Sequence, residues 1–283
     1  MFKKVPAILL WLTLPLLSAG CQGNSSASTD EESVVKAIVM SDSVPESVKK
    51  FVTAVADNDK DAFAEMVSYP LQRPYPLRDI PDAHEMRKHF NDIIDDSIRN
   101  LVTHAGPERW KEYGWRGWSL DDGKYIWVNE NVYDLQYVSQ KERALIDSLT
   151  NEEINTIEPS IRDGWKPVMC LLNSHNGRIY RVDARTQSSE SDADHYRLVV
   201  YSGESDLRGL PEQLLSGTLE HEGSMGNVLY KFNTKEGKEV VIEPDAPDTG
   251  YPVLLEPNDS TIELERAYWH ELVGKKAPHT RQK

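Results

Sequence analysis

Residues 114–129 read Gly-Trp-Arg-Gly-Trp-Ser-Leu-Asp-Asp-Gly-Lys-Tyr-Ile-Trp-Val-Asn. Large apolar residues alternate on both sides of Asp122-Gly123, a pair suited to the positive φ angles of a two-residue hairpin turn. A turn at that pair sets Asp121 opposite Lys124, Leu120 opposite Tyr125 and Trp118 opposite Trp127. Arg116 and Asn129 continue the same face. A further strand is expected over 132–138.

Upstream of this hairpin the period is helical. Val44, Val48, Phe51, Val52 and Val55 recur at helical spacing, with Ser43 and Glu46 forming a capping box at the start. A second helix is expected from Asp59, burying Ala62, Phe63, Met66 and Val67. Pro70, Pro74, Pro76 and Pro81 end it, because proline lacks the amide hydrogen and fixes φ. Asp82 and Glu85 cap a third helix, whose face is Met86, Phe90, Ile93, Ile94 and Ile98.

Downstream, Ser139/Glu142 and Thr150/Glu153 read as two capping boxes that start short helices. Residues 166–185 form a second hairpin turning at Asn176-Gly177. Its register puts Met169, Leu171, Tyr180 and Val182 on one face, and Cys170, Arg181 and Asp183 on the other. The run 187–194 is polar and is read as a domain boundary. Beyond it, alternating runs at 195–201, 214–219, 228–232, 239–242 and 261–264 are punctuated by Gly and Pro, as in an all-β sandwich or small barrel.

The whole chain is 283 residues, 39% hydrophobic and 28% charged, with a formal net charge of −14. This is a globular composition of two-domain length, and its acidity argues against nucleic acid as a partner. Only Cys21 and Cys170 occur, which excludes a disulfide framework. Lys3 and Lys4 precede an apolar run, 5–17, that is too short to span a bilayer and reads as the h-region of a signal peptide.

The following Leu17-Ser18-Ala19-Gly20-Cys21 resembles the lipobox of bacterial lipoproteins, with Ser18 where that family prefers Leu. The resemblance implies cleavage before Cys21 and acylation of its sulfur, palmitate-type chains anchoring the protein to a membrane. Gln22, rather than Asp, after the cysteine implies the outer membrane of a bacterial envelope. The expected organisation is therefore a signal peptide at 1–20, a flexible tether at 21–42, an α+β domain at 43–186, an all-β domain at 195–273 and a disordered basic tail at 274–283.

Three helices followed by antiparallel hairpins, together with Ser68-Tyr-Pro-Leu-Gln-Arg-Pro-Tyr-Pro-Leu77 and Tyr113-Gly-Trp-Arg-Gly-Trp-Ser-Leu-Asp-Asp-Gly123, resemble the NTF2-like (SnoaL-like) domains of bacterial lipoproteins. That resemblance implies a cone of helices on a curved sheet. It implies no activity, because the fold hosts enzymes, binders and assembly modules alike.

Eight aromatic residues fall between 110 and 137. They read either as core or as a pocket, lined by Arg116, Trp118, Tyr125 and Trp127, that stacks on a sugar ring or an apolar small molecule. Glu85, His89 and Asp92 share a helical stripe that reads as a metal-ligand set, an acid/base pair or a solvated face. Asp95-Asp96 reads as exposed. Asp183 between Arg181 and Arg185 reads as an ion-paired strand face, and Cys170 as a buried small apolar residue. No second histidine follows His270-Glu271 at metalloprotease spacing, and no nucleophile elbow or phosphate loop occurs. No metal or cofactor is implied. The expected role is a lipid-anchored module binding a small ligand or an envelope protein. The alternative is an enzyme in which Arg116 positions an anionic substrate and a carboxylate or His89 acts as acid/base.

Overall fold

The computed structural model describes residues 33–185, 195–223, 227–246, 250–258 and 260–273. The expected signal peptide, Cys21 and the basic tail lie outside the described residues. The fold mixes helix and sheet. A four-stranded sheet follows a group of helices, and a nine-stranded antiparallel sheet curls into a nearly closed barrel.

The packed chain begins earlier than residue 43. Helix α1 is described at 33–39, and its Ile38 is fully buried in the first core. Helix α2 (Glu46–Ala56) buries Val48, Phe51, Val52, Ala54 and Val55. Its N-cap is Pro45 and carries no side-chain bond, while Ser41 and Ser43 bond each other instead of capping it. Helix α3 (Lys60–Glu65) is capped by Asp59 and buries Phe63 and Ala64, with Ala62 exposed.

The third helical face is split between α4 (Ala83–Ile93), capped by Asp82, and α5 (Asp96–Thr103), capped by Asp95. Asp96 is exposed as expected, whereas Asp95 is half-buried. It accepts from the amides of Ser97, Ile98 and Gln140 and from the Tyr137 hydroxyl at 2.6 Å. Phe51, Phe63, Phe90 and Trp110 meet edge-on or tilted at centroid distances of 5.2–5.9 Å, which sets the centre of this core.

Strands β1 (Trp110–Glu112), β2 (Trp118–Leu120), β3 (Ile126–Val128) and β4 (Val132–Leu135) form an antiparallel meander. The hairpin turns near Asp122-Gly123, but in a different register. Trp118 faces Val128, Ser119 faces Trp127 and Leu120 faces Ile126. The turn uses three consecutive positive φ angles, at Asp121 (52°), Asp122 (57°) and Gly123 (83°), and so spends more residues than a two-residue turn. Asp121 is drawn back onto Arg109, whose Nε donates to it at 2.9 Å. The shift of one residue sends Trp118 and Trp127 to opposite faces.

Helix α6 (Gln140–Thr156) is one continuous helix of 17 residues. Ser139 and Glu142 make both bonds of the capping box, whereas Thr150 and Glu153 lie buried inside the helix and start nothing. The short α7 (Pro159–Arg162) leads into the barrel.

The barrel strands are β5 (Lys166–Leu172), β6 (Ile179–Arg185), β7 (His195–Tyr201), β8 (Gln213–Glu222), β9 (Asn227–Asn233), β10 (Glu239–Glu243), β11 (Val253–Leu255), β12 (Thr261–Glu263) and β13 (Glu265–Arg266). They pair as a meander from β5 to β12. The chain then bends at the buried Leu264, so that β13 reaches back to β5 and nearly closes the barrel.

The two faces of β5–β6 are the expected ones, but the loop is longer than a two-residue turn at Asn176-Gly177, so the pairing is shifted by two residues, with Met169 opposite Val182 and Cys170 opposite Arg181. The domain division at 187–194 does not separate two sheets. Strands β6 and β7 pair along seven residues from Ile179–Tyr201 to Arg185–His195, so the 166–185 hairpin belongs to the barrel rather than to the helical half.

The barrel interior is filled by Leu171, Tyr180, Val182, Leu198, Val200, Leu215, Phe232, Val240, Ile242 and Leu254. The outer face of β5–β7 is buried as well. Cys170, Val199 and Tyr201 pack there against Trp269 of α8 (Trp269–Leu272).

Candidate functional site

Where the helical half meets the barrel, residues 73–81 run between α4, α6 and α8, and these four pieces line an open cavity of about 570 Å³. Leu145 and Leu149 of α6, Ile93 of α4, and Leu77 and Ile80 supply its apolar wall. Proline at 76 and 81 denies this segment regular structure, which is why it crosses the junction as an irregular wall.

One end of the cavity is anchored by Arg73. This buried guanidinium donates through Nε and Nη2 to the two Glu142 oxygens, both at 2.8 Å, and to the carbonyls of Leu135 (2.7 Å) and Tyr137 (2.8 Å). Glu142 thus serves twice, as the capping carboxylate of α6 and as the partner of Arg73. A forked guanidinium–carboxylate pair fixes both planes, so the start of α6 and the 73–81 segment move as one.

The other end is built on α8. His270 lines the cavity, and its Nδ1 lies 2.8 Å from Oε1 of the fully buried Glu153. The same oxygen accepts from the His270 amide at 3.2 Å, and the Tyr75 hydroxyl donates to Oε2 at 2.8 Å. Burial pushes the Glu153 carboxyl above its ordinary value, opposed by the bonds from His270 and Tyr75. Burial likewise holds the Tyr75 hydroxyl well above its usual range. The other ring nitrogen, Nε2, lies 3.8 Å from a Glu271 oxygen. Tyr268 stacks on Tyr75 at 6.4 Å, and Arg78 pairs with Glu271 across the rim.

The α4 wall carries the Glu85, His89, Asp92 stripe, and all three residues line this cavity. His89 lies 3.4 Å from Glu85 and 3.6 Å from Asp92, while Lys88 and Lys141 pair with those same carboxylates at 3.2 and 2.5 Å. The Lys88 ammonium holds the Glu85 carboxyl below its ordinary value. Among the described residues, no group of three or more His, Cys, Asp or Glu is placed to hold a metal ion. The stripe is a salt-bridged wall.

The expected aromatic pocket divides in two. Arg116 and Trp127 stay together, the guanidinium carbon lying 6.0 Å from the Trp127 ring and 5.6 Å from that of Trp115. Trp118 and Tyr125 instead pack, half-buried, against the helical core. The reason is the register, which turns Trp118 away from Trp127. Arg116 and His89 do not line one cavity, so the pairing of those two in a single catalytic cup is not what the fold builds.

Arg73, Glu142, Glu153, Tyr268 and His270 were not singled out by sequence reasoning as site residues. Arg73 is flanked by turn-forming prolines, Glu142 and Glu153 look like capping residues, and His270 lacks its metalloprotease partner. One signal was present: Arg73, Glu142 and Glu153 must find charged or polar partners from elsewhere in the chain once buried.

On the outer barrel wall Asp183 pairs with Arg181 as expected, but its second partner is Arg197 of β7 and not Arg185, which stacks on Trp165. Arg181 and Asp183 are fully buried and joined at 2.7 Å, and Arg197 reaches the same carboxylate. Trp269 and Trp165 cap the two guanidiniums at 4.2 and 4.4 Å. Cys170 is buried, and burial pushes its thiol up, which keeps it un-ionised.

Compared with known proteins, the chain matches no family model, no curated protein and no solved structure.

Proposed function

We propose that this protein is a lipid-anchored module of a bacterial cell envelope, held at the outer membrane through Cys21, which binds a small ligand in the junction cavity without turning it over. The observation that carries the binding role is the cavity itself. Its apolar wall lies between two rigid polar ends, Arg73–Glu142 and Glu153–His270, whose charged groups are already committed to each other. Pre-paired walls of this kind orient a ligand at little ordering cost.

The helical half supports a reading as an NTF2-like cone: α2–α5 pack on the β1–β4 meander through Phe51 and Trp110. In this reading the mouth of the cone is filled by its own aromatic core, and ligand binding has moved to the junction with the barrel. The Glu153–His270 bond favours a second reading, an enzyme in which Nε2 of His270 takes a proton from substrate or water.

Ligand binding adds stability by mass action. Protein isolated directly from membranes should therefore melt at a higher temperature than the same protein stripped by unfolding and refolding. A small-molecule extract of the parent cells should restore the difference. Equal melting before and after stripping, with no response to the extract, would contradict the binding role. Catalytic consumption of an extract component that stops in His270→Asn would favour the enzyme. For the anchor, the wild-type chain should partition into detergent and Cys21→Ser into water; unchanged partitioning would refute the lipoprotein reading.

A further inference from the structure

The lining of the junction cavity is unevenly charged. Arg73 pairs with Glu142, Arg78 with Glu271 and Lys141 with Asp92, so among the described residues each lining cation already has a lining carboxylate. Two further carboxylates line the cavity, those of Asp79 and Glu85. An anionic ligand would bring its charge beside them while the cations of the wall are committed elsewhere. A cationic ligand gains an acceptor instead.

The two carboxylates are held differently. Asp79 is tied into the wall, where it accepts from the Arg73 amide at 2.9 Å and lies 3.5 Å from the Arg266 guanidinium. Glu85 meets the ring of His89 at 3.4 Å and, at 3.2 Å, the ammonium of Lys88, which is 62% exposed and is not a lining residue. A pair between solvated side chains contributes little, so Glu85 can exchange Lys88 for a ligand group at small cost. A carboxylate only accepts hydrogen bonds, and the matching head group is a protonated amine, which carries both the charge and the N–H donors.

The rest of the wall selects the body of the ligand. Leu77, Ile80, Ile93, Leu145 and Leu149 are all aliphatic, and Leu145 is left 49% exposed, apolar area that a bound chain would cover. The Tyr268 ring is already engaged. It stacks on Tyr75 at an interplanar angle of 9° and carries the Arg78 guanidinium 5.8 Å from its centroid. An aryl ligand would have to compete for that ring, whereas an alkyl chain needs only the aliphatic wall.

Resting on the reading of this cavity as the ligand site, we propose that its ligand is an alkylamine, with the protonated head held by Glu85 and the chain lying along Leu145 and Leu149. The test titrates the full-length Cys21→Ser chain calorimetrically at pH 7 with octylamine, octanoate and octanol, which share one chain and differ in head charge. Octylamine should bind saturably at one site, about tenfold tighter than either of the others. Glu85→Gln should remove that preference, leave octanol binding as it was and keep the wild-type melting temperature. Lys88→Gln, which frees Glu85 from its partner, should tighten octylamine about threefold. Octanoate or octanol binding as tightly as octylamine, and lost in Leu149→Trp, would overturn the alkylamine while leaving the cavity a ligand site. Three other results would also overturn it: no binding of any of the three, an amine preference unchanged in Glu85→Gln, or octylamine binding that survives Leu149→Trp. In those cases the melting comparison before and after stripping decides the binding role of the cavity by itself.

Discussion

Asp183 carries two arginines. The carboxylate is fully buried between Arg181 and Arg197, on a strand face sealed by Trp269 and Trp165. Burying charges is costly, and removing one partner leaves the others without compensation. Asp183→Asn should therefore cost about 3–5 kcal/mol by chemical denaturation, and a loss near zero would mean that water reaches the site. Asp95 makes a different prediction. Burial pushes its carboxyl up, but the bonds from Tyr137 and the amides of Ile98, Gln140 and Ser97 outweigh it and hold it below 3.8. A carboxyl lowered by folding contributes stability above its unfolded pKa and loses it as pH falls through the folded value. Asn keeps a capping acceptor but loses the second oxygen, so Asp95→Asn should cost about 0.5–1.5 kcal/mol at pH 7, and the gap from wild type should close as pH falls through the lowered carboxyl value. A gap of constant size across that range would contradict the assignment. At this scale the sequence was readable where a near neighbour explains a residue, as with Asp183 beside Arg181, and not where the partner comes from another strand, as with Arg197. It was silent on Glu153, whose partners Tyr75 and His270 lie 78 and 117 positions away.

Hairpins show why some elements were legible and others were not. In β5–β6 the strands are seven residues each and the pairing is shifted by two residues, which leaves every side chain on its expected face. In β2–β3 the strands are three residues each, so the turn sets the register, and three consecutive positive-φ residues moved it by one. Helix α6 was misread for a related reason. Thr150 and Glu153 have capping-box spacing, but a helix already running from Gln140 absorbs them, and Glu153 turns inward to Tyr75 and His270. The strand pairing also decides how the chain comes apart. A protease site introduced between 186 and 194 should, after cleavage, leave two pieces that co-elute on gel filtration, because β6 and β7 share a seven-residue ladder. Separation of the pieces without denaturant would show that the β6–β7 ladder does not hold once the chain between the two strands is cut.

Across the whole molecule, the junction is held by residues distant in sequence. Gln72 donates to Asp245, Arg266 reaches the Arg73 carbonyl and Asp79, and Trp269 Nε1 donates to Thr156 at 2.8 Å. The α+β class and the barrel-like C-terminal sheet follow from periodicity, whereas a cavity formed by three separated segments has no local sequence pattern. The account rests on that cavity holding a ligand. Native mass spectrometry of the protein released gently from its own membranes tests this directly, alongside Leu149→Trp, which places an indole in the cavity wall without touching either buried ion pair. The account predicts a small-molecule adduct on the wild type that is absent from Leu149→Trp, with both proteins folded. A wild type that carries no adduct, or an identical adduct on both proteins, would contradict it.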